Sequence, residues 1–249
     1  RQGYKAGGFN TQMFSDVLQQ QVMKQMGFGS LYDVADVVTY KPEKSWNYEV
    51  GAHLSTPSHK VQADLALFYI DCRDQQLTVF PEGQVTGRLM TNAGRTRSFG
   101  GEASLLATLW RNLDLQVAYG YTRATFVKFD TGKADYAGNF IPYAPQHTLY
   151  AGASYTLRTG WNWLEYVIFR VAANGAGRIY WNEANTFSQP FYALLEASIR
   201  FEHRHWAVDV WGRNLTDTRY DTFYFMSIGN SFLQRGRPRT FGVSLSITL

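Results

Sequence analysis

Cysteine and proline are scarce in this 249-residue chain, and each scarcity excludes something. Cys72 is its one cysteine, so no internal disulfide framework and no cysteine metal cluster is expected, and Cys72 itself reads as a small buried side chain. Proline stands at 7 against 22 glycines, which suits many tight turns better than a disordered linker. Nowhere do about 18 apolar residues follow one another. The most apolar stretch, Leu164 to Ala173, is broken by Glu165 and Arg170, so no transmembrane helix is expected. A basic tract is missing too: the net charge of +4 is spread along the chain, and nucleic acid is not an expected partner. Arg1 to Asn10 lack the charged start, apolar core and cleavage site of a signal peptide, and the chain is expected to begin mid-protein or to be mature.

Aromatic residues are abundant, at 16% with 16 Tyr, 17 Phe and 7 Trp, a load typical of strands. Apolar and polar residues alternate with period two along most of the sequence. At the end, Phe241, Val243, Leu245, Ile247 and Leu249 share one face, and Gly242, Ser244, Ser246 and Thr248 the other. Short polar turns at Thr56 to His59, Arg111 to Asn112, Arg158 to Gly160 and Glu202 to His205 join alternating segments as hairpins. Between the hairpins lie long connections, at Asn10 to Tyr40, Ala124 to Gln146, Gly175 to Pro190 and Asp217 to Pro238.

Regular exchange of short and long connections puts all short turns at one end of an up-and-down sheet, as in outer-membrane barrels. Compact soluble domains rarely carry several loops of this length. Ten strands are predicted, at residues 1–9, 41–55, 60–80, 88–109, 113–129, 140–157, 162–181, 191–202, 205–226 and 238–249. Trp110, Tyr155, Trp161, Trp163, Phe201 and Trp206 crowd the short-turn end and suit an interfacial girdle. Glu49, Asp64, Glu102, Asp114, Glu196, Arg200, Asp209 and Arg213 lie opposite the apolar faces and are expected to point into a wet lumen. The fold class is therefore all-β, an antiparallel up-and-down transmembrane barrel sheet, with residues 1–249 forming one domain.

Several segments resemble one family in order along the chain. Gly3-Tyr4-Lys5-Ala6-Gly7-Gly8-Phe9-Asn10, Lys41-Pro42-Glu43-Lys44-Ser45-Trp46-Asn47-Tyr48-Glu49-Val50-Gly51, Asn92-Ala93-Gly94, Tyr119-Gly120-Tyr121-Thr122, Pro142-Tyr143-Ala144-Pro145, Asn214-Leu215-Thr216-Asp217 and Pro238-Arg239-Thr240-Phe241-Gly242 are similar to the barrel domain of TonB-dependent outer-membrane receptors. The resemblance implies about the last ten of roughly 22 strands, with the N-terminal plug absent. Leu249 departs from the family, which commonly ends in an aromatic residue. The Gly3 to Asn10 segment resembles the siderophore-receptor branch, and the Phe-Arg-Ala-Pro segment of haem receptors is missing. The resemblance further implies a monomeric barrel in the outer membrane of a Gram-negative bacterium, in contact with outer-membrane lipid. Its partners would be a ferric siderophore and, through the plug, the TonB complex; no cofactor and no catalysis are expected. A passive porin, or a receptor for cobalamin or carbohydrate, is the alternative.

A ferric siderophore is polar, often anionic, and carries flat aromatic parts, so its pocket would combine Arg with Tyr and Trp. Two groups have that composition: Arg178, Tyr180 and Trp181, and Tyr224, Arg235 and Arg237. The competing reading is that these are girdle aromatics and solvated loop charges. Among His53, His59, His147, His203 and His205, the pair flanking Arg204 has a spacing that could hold a metal, but solvated turn histidines explain it as well and no site is assigned. A barrel lipase would need a Ser and His pair; His147 and Ser154 are nearest in sequence, but seven residues apart on a strand they fall on opposite faces.

Overall fold

The computed structural model describes residues 1–10, 39–58, 60–79, 89–130, 134–227 and 230–248. His59, Leu249 and most of the first long connection lie outside them. Ten strands form one antiparallel sheet: β1(Gln2–Lys5), β4(Glu43–Ser55), β5(Val61–Val79), β6(Leu89–Leu109), β7(Leu113–Lys128), β8(His147–Trp161), β9(Leu164–Gly177), β12(Tyr192–His203), β13(Trp206–Arg213) and β16(Thr240–Ile247). Each pairs with its neighbour in that order, an up-and-down meander with β1 and β16 as open edges. Short pairs stand off this sheet: β2(Gly8–Phe9) with β3(Thr39–Tyr40), β10(Ile179–Tyr180) with β11(Ser188–Gln189), and β14(Asp221–Ser227) with β15(Asn230–Arg235).

All ten predicted strands are present in the main sheet, but several are shorter than the alternation suggested. Pro142 and Pro145 fix φ and remove N–H donors, so β8 starts at His147 and not at residue 140. Gly177, at φ 127°, ends β9, and the chain leaves the main sheet before β10. Asn214 and Asp217 have φ of 50° and 52° and break the strand expected over 205–226, so Asp221–Ser227 pairs elsewhere as β14. The turn expected at Arg158 to Gly160 moves outward: β8 continues to Trp161, which pairs with Leu164 after an irregularity.

Residues directly opposite in an antiparallel pair share a face, so the register reads both surfaces of the sheet. One row runs Leu109, Leu113, Tyr155, Phe169, Ile199, Val210 and Val243. Next to it run Leu157, Val167, Phe201, Val208 and Leu245. The opposite face carries His53, Asp64, Ser104, Ala118, Tyr150 and Asn174 in one row. All eight charged residues expected to point inward fall on this second face by the same register. Its groups bond to one another: the His53 ring to Asp64 at 2.6 Å, Ser104 to Asp64 at 3.1 Å, Thr108 to Asp114 at 2.8 Å and Asn174 to Glu196 at 3.2 Å. A groove crosses it, lined by Asp114, Arg170, Glu196, Asp209, Trp211 and Arg213 among others. Gly100 sits where a Cβ would meet the Tyr121 carbonyl, with the Phe68 ring at 2.9 Å, so β6 and β7 need a residue without a side chain there.

Much of the apolar face is uncovered, although Val167 within it is buried. Val50, Leu54, Phe241, Val243, Leu245 and Ile247 are each about two-thirds exposed, and contiguous apolar surface of this extent is foreign to soluble monomers. On β6 it runs from Leu109 to Phe99, a span of ten residue steps that rises about 25 Å at a barrel tilt of about 40°. That is the height of a hydrocarbon band. Aromatics bound it below, where Trp161 stacks on Trp163 at 5.4 Å and Trp110 stands in the open. They bound it above as well, in the row Tyr48, Tyr69, Phe99.

Candidate ligand-binding site at the long-connection end

Three long connections meet above the β8, β9 and β12 end of the sheet. Because its two prolines lack N–H groups, the segment Pro142 to Pro145 can offer only Tyr143 and Ala144 as donors; Tyr143 gives its N–H to Tyr180 O at 2.8 Å, and Gln146 gives its own to Arg178 O at 3.0 Å. This lays the first connection along β10. Asn185 clamps the same pair of connections, accepting from Phe140 N–H at 2.7 Å and donating to Phe140 O at 2.9 Å. The third connection enters through the β14–β15 hairpin, fastened by the Tyr143 hydroxyl, which donates to Tyr224 O at 2.9 Å.

The result is a platform of rings. Ile179, Trp181 and Tyr224 form its buried floor. Tyr143 lies 5.5 Å from Trp181 and stacks on Phe223 at 5.6 Å, Phe187 stacks on Tyr224 at 4.7 Å, and Phe140 stacks on Tyr180 at 5.3 Å. Phe187 remains 40% exposed, so the platform has an accessible rim above a buried floor. Burial, and secondarily the nearby Glu183 carboxylate, push the Tyr143 phenol up to about 12, which keeps it a neutral donor. A surface of offset aromatic faces with a few hydroxyls at its edges suits a flat, π-rich ligand.

Of the residues singled out in the sequence, Tyr180, Trp181 and Tyr224 come together here. The arginines are placed differently. Arg178 is exposed beside β10, held through its backbone carbonyl. Arg235 stands at the foot of the hairpin opposite Asp221, at 3.4 Å. Arg237 is exposed, its carbonyl accepting from Asn214 at 3.0 Å. Tyr143, Phe140, Phe187 and Phe223 were not picked out by composition. Tyr143 lies 81 residues from Tyr224, and only the paired prolines around it signalled a fixed backbone.

The other candidate groups are dispersed. His147 faces outward, with Nδ1 2.7 Å from the Tyr119 hydroxyl and its ring 5.2 Å from Tyr121. Ser154 faces the groove on the other side of the sheet. The rings of His203 and His205 are 6.1 Å apart, and His203 Nε2 lies 3.1 Å from Asn162 O. Among the described residues no group of three or more His, Cys, Asp or Glu could hold a metal ion. Cys72 is buried.

Residues 1–215 match the family model described as TonB dependent receptor-like, beta-barrel. The chain is 27% identical over 252 aligned residues to the pesticin receptor of Yersinia pestis, covering 99% of this chain and 32% of that protein. Among solved structures it is similar to the ferric yersiniabactin uptake receptor of Yersinia pestis, with TM-score 0.74 and 24% identity, over 99% of this chain and 33% of the other. It is also similar to the ferric preacinetobactin receptor of Acinetobacter baumannii, with TM-score 0.62 and 20% identity, over 84% of this chain and 30% of the other. The chain thus spans about a third of the length of these relatives.

Proposed function

The chain belongs to the family of TonB-dependent receptor-like β-barrels, and from that premise we propose that it is part of an outer-membrane receptor that takes up a ferric siderophore. The observation that carries the proposal is the ring platform, assembled from three connections at the long-connection end of a sheet whose outward face is dressed for lipid. A relative named for ferric yersiniabactin uptake supports a ligand of this kind. In this reading the ligand settles on Tyr143, Phe187 and Phe223 over the Trp181 and Tyr224 floor, and Arg178, Tyr180, Arg235 and Arg237 surround it with charge and hydrogen-bond donors. TonB, acting through the plug, then supplies the energy for passage; no covalent bond changes in the ligand.

Growth of a receptor-deletion strain on a panel of iron sources tests the proposal, once the strain is supplied with the complete receptor carrying this chain. One source should restore growth, and only while TonB is functional. Growth that persists without TonB would replace the receptor by a passive pore. Phe187→Ala at the exposed rim should weaken ligand binding by about thirtyfold, the size of a hot-spot aromatic worth about 2 kcal/mol. Unchanged affinity there, and in Trp181→Ala, would remove the platform from the site.

A further inference from the structure

Arginine beside a flat aromatic face recurs on the inward wall, in the groove that crosses β7, β8, β9, β12 and β13. Trp211 lies flat against the sheet there. It pairs with Gly242 of β16, where a Cβ would collide with the indole, and its Nε1 donates to Ser244 Oγ at 3.1 Å. Arg213 sits by the same ring, its guanidinium carbon 4.8 Å from the centroid. Ser198 stands abreast of both Trp211 and Arg170, so those two are about 10 Å apart, two strand spacings. Both arginines are exposed, and neither meets a carboxylate among the described ion pairs. The acids of the groove are engaged in part: Asp114 accepts from Thr108 at 2.8 Å and Glu196 from Asn174 at 3.2 Å. Asp209 keeps one buried carboxylate oxygen, Oδ1, to which no described group donates. The groove measures about 410 Å³, the size of a small-ligand cleft.

The neighbouring part of the wall is different. Glu49, Asp64 and Glu102 face inward from β4, β5 and β6, and the lysines and arginines paired in those strands fall on the outward face. An anionic solute is repelled by that part and drawn to guanidinium groups that no carboxylate neutralises. Trp211 lies five residues along β13 from Trp206, about 13 Å up a wall about 25 Å tall. We propose that the groove between Arg170 and Trp211 is a second station for the imported chelate, inside the barrel and below the ring platform. An aryl ring of the chelate packs against the Trp211 and Arg213 pair, its anionic oxygens bond to Arg170 and Arg213, and one of its hydroxyls donates to Asp209. The inference rests on the uptake reading and deepens it, because it assigns wall residues to the passage and not to capture at the surface.

The test gives cells carrying the complete receptor radioactive iron as catecholate, phenolate, hydroxamate and citrate complexes. Binding to de-energised cells is measured apart from TonB-driven uptake. For a complex that the wild type imports, Trp211→Ala and Arg170→Gln should each lower the saturated uptake rate about tenfold, the worth of one desolvated cation and ring contact. Affinity in de-energised cells should stay within about twofold of wild type, since the platform is intact. Trp211→Phe and Arg170→Lys, which keep a ring face and a charge, should recover part of the rate. Arg170 is exposed, so its variant is informative even where Trp211→Ala fails to assemble. Unchanged uptake in Arg170→Gln overturns the proposal, as does a loss of affinity in de-energised cells that matches the loss of uptake. Slower uptake accompanied by vancomycin sensitivity also overturns it, because the groove would then be holding the plug. Failure of the uptake reading shows in the wild type alone, as import of none of the four complexes, and takes the station with it.

Discussion

Tyr143 joins all three connections of the ring platform. Its ring lies between Trp181 and Phe223, its N–H holds β10, and its hydroxyl holds the hairpin through Tyr224 O. Tyr143→Phe keeps the rings and leaves that carbonyl without its donor, which should loosen the platform by about 1 kcal/mol. The phenol also sets a pH limit. Its pKa rises from 10.0 to about 12 because burial disfavours the phenolate, so the folded protein holds this proton more tightly than the unfolded chain does. The stabilisation is complete below pH 10 and is lost as pH climbs toward 12. The 295 nm absorbance difference between wild type and Tyr143→Phe should therefore rise near pH 12; a rise near 10 would show that the hydroxyl stands in water.

At the scale of elements, one buried side chain, Asn214, closes the base of the connection that carries the β14–β15 hairpin. Asn214 donates to Thr218 O and Arg237 O, both at 3.0 Å, and accepts from Thr218 N–H at 2.9 Å. It thereby ties the two legs of the third connection to each other where β13 ends. Asn214→Ala removes those bonds in a buried place and should cost about 2 to 3 kcal/mol of local stability. Faster amide exchange in Asp221–Ser227, with β12 and β13 unchanged, is the expected readout; equal exchange would mean that the other ties, from the Tyr143 hydroxyl and the Gln189 side chain, hold the hairpin. The strands of the main sheet were legible because a period of two is a local property, visible without knowing the neighbour. Their ends were not, because Pro142, Gly177 and Asn214 stop ladders through backbone geometry that alternation does not encode. The platform was half legible for a related reason. Composition flagged Trp181 and Tyr224, but their contact with Tyr143 and Phe187 is made between connections far apart in the chain.

At the scale of the whole molecule, little of the apolar surface of the main sheet is buried among the described residues. Two buried apolar clusters lie at the long-connection end, Ala93, Ala124, Phe126, Phe129 and Ile141 by β6 and β7 and Ile179, Trp181 and Tyr224 in the platform, while the long apolar rows face outward and, apart from residues such as Val167, stay uncovered. Stability then depends on the medium: the outward rows are satisfied by hydrocarbon and the inward rows by water or polar protein. Adjacent residues must accordingly see different solvents. Spin labels at Val208, Leu245 and Ile247 of the complete receptor, after replacing the buried Cys72 by Ser, should be relaxed by lipid-dissolved oxygen. Labels at Asp209, Ser244 and Ser246, one residue away on β13 and β16, should respond to water-borne nickel chelates unless protein covers them, and in either case less to oxygen. Alternation in oxygen accessibility along both strands is the signature of a sheet with a lipid side. A flat profile, or oxygen accessibility on the Ser244 and Ser246 side, would mean that the register had been turned inside out. The ring platform would then lose the membrane frame on which it is placed.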